Sequence, residues 1–94
     1  MISREGDLLR VSGPLTMDTV RQPFDAGLGV ERGGLVKVDL SAVSEVDSSA
    51  VSLLLAWVRD AERRGGKLQF LSVPENLLSL ARMYGVDDLI PFRA

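Results

Sequence analysis

The 94-residue chain contains no cysteine and no histidine. Without thiols or imidazoles there can be no disulfide framework, Cys/His metal centre, thiol nucleophile or histidine acid–base catalysis. A chain with no disulfides suits a reducing compartment. Charge of one sign is also scarce: 11 basic residues stand against 13 acidic ones, for a net charge of −2. There is therefore no basic footprint, and no nucleic-acid partner is expected. Long hydrophobic runs are missing too. The longest, residues 51–58, is interrupted by Ser52 and falls well short of the ~20 residues that span a bilayer. Residues 1–7 lack the apolar core of a signal peptide. These absences predict a cytoplasmic protein with no direct membrane insertion. Neither G-x-x-x-x-G-K-[ST] nor G-x-G-x-x-G occurs, so no nucleotide site and no cofactor is expected.

What is present is an ordinary globular composition, 46 % hydrophobic and 26 % charged, in one domain over residues 1–94. Glycine and proline act as punctuation. Residues 2–5 and 8–12 read as a hairpin turning at Gly6-Asp7, with the second strand stopped by Gly13-Pro14. Thr19 and Gln22 have the spacing of a capping box, which predicts a first helix with Phe24 and Leu28 on one face. Leu35, Val36, Val38 and Leu40 suit a central strand covered on both sides. A long helix over about residues 48–64 ends at Gly65-Gly66. A strand over residues 67–71 and a third helix from Pro74-Glu75 follow, the latter striped by Leu77, Leu80, Ala81 and Tyr84. Helix, Gly-Gly, strand, repeated, implies parallel strands joined by crossover helices. The expected fold class is a small α/β sandwich: a mixed four- to five-stranded sheet with helices mainly on one face.

The informative stretch is Val46-Asp47-Ser48-Ser49-Ala50-Val51, where a strand gives way to the long helix. Asp47, Ser48 and Ser49 are all strong N-cap formers, and a helix needs only one cap. With Asp47 as the cap, two hydroxyls at a helix terminus of partial positive charge are left for a partner or a phosphoryl group. At about 100° per residue, Ala50, Val51, Leu54, Leu55, Trp57, Val58 and Ala61 fill the arc that covers the sheet, with Trp57 at its edge and half-buried. Ser49, Ser52, Leu53 and Ala56 form an exposed ridge of small residues on the other side, which makes Ser48, Ser49, Ser52, Leu53 and Ala56 the candidate partner-binding residues. No catalytic residue is assigned, because neither serine has an activating base. Asp87-Asp88 and the Glu45/Asp47 pair read as solvated loop and cap residues, not as metal ligands. Met83-Tyr84 is expected to pack at the end of the third helix.

Val38-Asp39-Leu40-Ser41, then Asp47-Ser48-Ser49-Ala50 and Leu53-Leu54-Leu55, resembles the STAS domain, the fold of bacterial anti-sigma-factor antagonists. The tail, through Val73-Pro74, Leu77-Leu78, Met83-Tyr84-Gly85-Val86 and Leu89-Ile90-Pro91, is similar to MlaB-type subunits of phospholipid-transport ABC systems. The resemblance implies a non-enzymatic cytoplasmic subunit, peripheral to the inner membrane through its partner. That partner would be the ABC-transporter ATPase, whose assembly and activity in outer-membrane lipid asymmetry the subunit supports. In this frame Ser48 matches a hydroxyl residue that matters in MlaB-type proteins. Ser49 matches the phosphorylated serine of the antagonists, so Ser49 and Ser48 are the candidate phosphoacceptors. The alternative implied is a phospho-regulated antagonist that binds an anti-sigma factor and is modified by a serine kinase. Ala50 departs from the glycine usual in the antagonists, and its methyl is expected to crowd a kinase or anti-sigma factor.

Overall fold

The computed structural model describes residues 2–92. The elements run β1 (Ile2–Glu5), β2 (Leu8–Leu15), α1 (Arg21–Ala26), β3 (Leu35–Val46), α2 (Ser48–Arg63), β4 (Lys67–Leu71), α3 (Glu75–Met83) and a 3₁₀ turn at Asp87–Leu89. One sheet of order β1-β2-β3-β4 is antiparallel at β1/β2 and parallel at β2/β3 and β3/β4. This is the expected mixed α/β class. A fifth strand is represented by a single parallel bridge, Phe70 to Phe92, whose rings lie 6.2 Å apart.

The β1–β2 hairpin closes at Gly6-Asp7 with Glu5 opposite Leu8. Gly6 has φ 60 and Asp7 does not have positive φ, the pattern of a II′ turn that suits the strand twist. β2 does not stop at Gly13-Pro14. It continues to Leu15 through two register irregularities, between Arg10 and Ser12 and between Gly13 and Leu15. A strand beside a bulge tolerates both residue types.

Leu9, Val11 and Leu15 of β2, Val36, Val38 and Leu40 of β3, and Leu68 and Phe70 of β4 all face the helices and are buried. The other face carries Arg10, Lys37, Asp39 and Lys67, with Arg10 Nε 3.8 Å from Asp39. β3 is therefore central but covered on one side only, contrary to its hydrophobic reading. Its period-2 alternation is complete from Val36 to Leu40, and the half-buried Leu35 only makes the run look continuous.

α1 is short. Thr19 does not cap it: Val20 holds the cap position without a side-chain bond. The Thr19 hydroxyl instead accepts from the Thr16 N–H at 3.0 Å and donates to the Pro14 carbonyl at 2.7 Å. Phe24 is 55 % exposed while Leu28, beyond the helix end, is buried, so the expected Phe24–Leu28 face is not formed and Pro23 turns inward. In α3, Leu77 and Ala81 are buried and Leu80 packs against them, but Met83 and Tyr84 are exposed at the helix end. Trp57 is buried, not half-buried, and its Nε1 has no hydrogen-bond partner.

The two Gly-Gly pairs meet at the sheet end where β3 and β4 begin. Gly33 N–H donates to Gly65 O at 2.9 Å, and Lys67 N–H to Gly34 O at 2.8 Å. A Cβ on Gly66 would stand 2.5 Å from Val30 Cγ2 and 2.8 Å from the Glu31 carbonyl. Only glycine permits that approach.

Candidate functional site

The candidate site lies at the opposite end of the sheet, where β2 and β3 finish side by side. β3 carries one extra residue relative to β2 at each irregularity, so Leu8 faces Lys37 but Leu15 faces Val46. The first extra residue falls in Asp39-Leu40-Ser41. There Asp39 Oδ1 accepts from the Ser41 N–H at 2.9 Å, a side-chain-to-backbone bond that stabilises an irregular strand. This bond, helped by the Ser41 hydroxyl and by nearby Arg10, holds the Asp39 carboxyl below the usual carboxylate range despite partial burial. The Asp-Leu-Ser motif thus lies at the first of the two register shifts. Without the two shifts, Asp47 would fall two residues further along β2.

With them, Asp47 stands beside the turn that leaves β2. One carboxylate oxygen accepts from the Met17 N–H at 3.0 Å. The other accepts from the Ser49 N–H at 2.8 Å and so caps α2. The Met17 bond is the main cause of a lowered Asp47 pKa; the Ser49 amide and hydroxyl reinforce it against a smaller desolvation effect. A single ionised side chain therefore binds the β2–α1 turn to the start of α2.

Ser48 and Ser52 are exposed, and Ser52 donates to the Ser48 carbonyl at 3.3 Å. Ser49 and Ala56 are half-buried on the flank. Leu53 does not belong to the exposed ridge: it is fully buried. α2 packs on α1 and α3 as well as on the sheet, so its buried arc is wider than a sheet alone requires. That arc takes in Leu53 and leaves Leu55 and Val58 half-exposed. The outward stripe is Ser48, Ser52, Ala56, Arg59 and Arg63, spaced at three or four residues on one helix face. Ala50 is also fully buried, so its methyl fills the core and does not meet a partner.

Sequence reasoning missed Met17. Its side chain is 76 % exposed although its N–H is held by Asp47. No local pattern marks it, because its place depends on a register between strands some 30 residues apart. Lys37 and Lys67 lie towards the far end of β3 and β4, so neither can serve as a base for Ser48 or Ser49. Among the described residues no three acidic side chains converge as metal ligands would, and no helix is long and apolar enough to cross a membrane.

Residues 2–91 match a family model described as "Mlab, STAS domain". The chain belongs to the STAS family. The STAS proteins most similar in sequence include the intermembrane phospholipid transport system binding protein MlaB of Escherichia coli K12 and that of Shigella flexneri. Each is 30 % identical over 87 residues, covering 92 % of this chain and 89 % of the relative. The fold matches that of the anti-sigma-factor antagonist SpoIIAA in its unphosphorylated form. That match has a TM-score of 0.68 at 17 % identity, over 100 % of this chain and 87 % of the other. Within the matched stretch, Asp39-Leu40-Ser41 lies at the first register bulge and Asp47 caps α2.

Proposed function

We propose that this STAS protein is a non-catalytic, cytoplasmic subunit that docks onto the ATPase of an Mla-type phospholipid transporter and supports its assembly and activity. The similarity to MlaB over 92 % of the chain supports the transport system. The observation that carries the docking reading is the division of labour at the start of α2. Asp47 performs the capping, so Ser48 is exposed with no capping duty, at the head of an outward face continued by Ser52 and Ala56. Small side chains let a partner backbone approach closely, and the helix terminus offers it partial positive charge. The subunit acts by binding one arrangement of the ATPase better than others, which shifts its population.

The experiment is co-purification of the cognate ATPase with wild-type protein and with Ser48→Arg and Ser52→Arg, whose bulk would block close approach without touching the core. Loss of the complex with unchanged melting supports the reading. Retention of a stoichiometric complex by both variants refutes it. The antagonist alternative requires a kinase to reach Ser49, which is half-buried with its amide bonded to Asp47. Ser48 is the more accessible acceptor. Phosphate found on Ser49 in cells would favour the alternative.

A further inference from the structure

We infer that β1 is a self-association edge: the β1 of a second copy adds to it antiparallel, with Ile2 of each chain paired to Arg4 of the other. The inference is independent of the docking reading, since β1 contributes no residue to the α2 stripe. β1 is terminal in the sheet and pairs with β2 alone. The direction of its free backbone groups follows from the ladder. The Lys37 N–H donates to Asp7 O at 2.8 Å, so Asp7 bonds towards β3. By alternation Leu8 and Arg10 bond back to their partners Glu5 and Ser3. The N–H and C=O groups of Ile2 and Arg4 therefore point out of the sheet.

The two sheet edges differ. On β4 the Phe70 N–H donates to Pro91 O at 3.2 Å, and Phe92 bridges alongside. No described residue covers β1 in this way. Nor does β1 carry the usual devices that blunt an edge. It has no proline, and its register with β2 is unbroken from Ile2 to Glu5. Arg4, opposite the buried Leu9, is its charge on the helix side. That guanidinium is drawn into its own chain, where it donates to the Gly6 and Leu28 carbonyls.

Outward groups on Ile2 and Arg4 permit three two-fold registers. Arg4 on Arg4 opposes like charges. Ile2 on Ile2 engages only the tip of the strand. Ile2 on Arg4 forms two reciprocal pairs and hence four N–H···O bonds, with Ser3 facing Ser3 on the side away from the helices. Charge agrees with this register. Arg4 of the second copy falls on the helix side, beside a groove floored by Ile2, Val11, Leu15 and Pro23 and rimmed by Asp18, Arg21 and Asp25. Its aliphatic stem can cover the floor. Arg21 is 3.8 Å from Asp25, which leaves the rim a net negative charge for Arg4 to meet. Glu5 of the second copy points to the opposite face, and Asp7 stands in the turn beyond the paired residues. Four residues a side make a small interface, so the dimer is weak and depends on concentration.

The chain has no cysteine, so single cysteines report the register. In a non-hydrogen-bonded pair the Ser3 Cα atoms lie about 4.5 Å apart, within disulfide reach. The two Glu5 positions are offset by roughly 14 Å. Under mild oxidation Ser3→Cys should cross-link at least about tenfold faster than Glu5→Cys. Sedimentation velocity on wild-type protein should show dimer growing between about 10 µM and 1 mM. Ile2→Pro removes an outward N–H at a position where a strand tolerates proline, so it should abolish the dimer, while Ile2→Val keeps it; melting curves accompany each variant. Ser48→Arg should leave self-association unchanged whether or not it weakens ATPase binding. A monomer throughout that range overturns the inference, as does equal cross-linking at both cysteines, or a dimer that Ser48→Arg dissolves. If the chain alone is monomeric and the ATPase shields Ser3→Cys from oxidation, another polypeptide occupies the edge and the inference is likewise overturned.

Discussion

Leu53 is where the helical-wheel reading and the structure part, and a single substitution separates them. Leu53→Ala removes three carbons from a fully buried side chain. At about 0.8 kcal/mol for each buried methylene the transfer loss alone is about 2.4 kcal/mol. The residual cavity brings the expected cost to about 3–5 kcal/mol, in the usual range for buried leucine. A domain of this size has only about 5–15 kcal/mol in total. With a urea m-value of about 1–3 kcal/mol/M, the midpoint should fall by more than ~1 M. The single tryptophan, Trp57, is buried on the same helix, so its emission should report the transition by shifting red on exposure. Ser52→Ala, on the outward face, should leave the unfolding free energy within about 0.5 kcal/mol of wild type. A Leu53→Ala protein as stable as wild type but defective in complex formation would place Leu53 on the surface and refute the packing of α2 described above.

Three further outcomes follow from the geometry. Asp47 and Asp39 both have lowered pKa values in the folded state, so their stabilisation is fully present above the ordinary carboxylate value of 3.8 and is lost as pH falls through the depressed folded values. The Met17 and Ser49 amide resonances should titrate together there in an NMR pH series; independent titration would deny the shared carboxylate. Asp47→Asn should keep a helix cap but weaken the charge-assisted bonds, so the Met17 amide should exchange with deuterium faster than in wild type while α3 amides are unchanged. Gly66→Ala should destabilise the fold by about 1–3 kcal/mol through overpacking; a denaturation midpoint equal to wild type would show that the Val30–Glu31 segment yields freely.

The parts legible in the sequence are those whose cause is local. The Gly6-Asp7 turn, the Gly-Gly helix stop, α2 and β4 follow from turn chemistry and periodicity, and Asp47 as the cap follows from residue type and position. The parts that were not legible depend on neighbours. Thr19 has the spacing of a capping residue, yet its hydroxyl is taken by Thr16 and Pro14. Gly13-Pro14 reads as a stop but is accommodated within β2 beside a bulge. Leu53 and Trp57 were misplaced because a wheel counts one buried face, whereas α2 is flanked by two helices. Met17 enters the site only through a register that no window of sequence encodes.

The meeting of the Gly-Gly pairs has a consequence for how this protein can change. That end tolerates not even a methyl at Gly66, whereas the stripe beginning at Ser48, one helix length or roughly 22 Å away, is free of such crowding. Substitutions should therefore accumulate unevenly: a rigid keel admits almost none, and the opposite prow can be rewritten to suit a new associate while the hull stays intact.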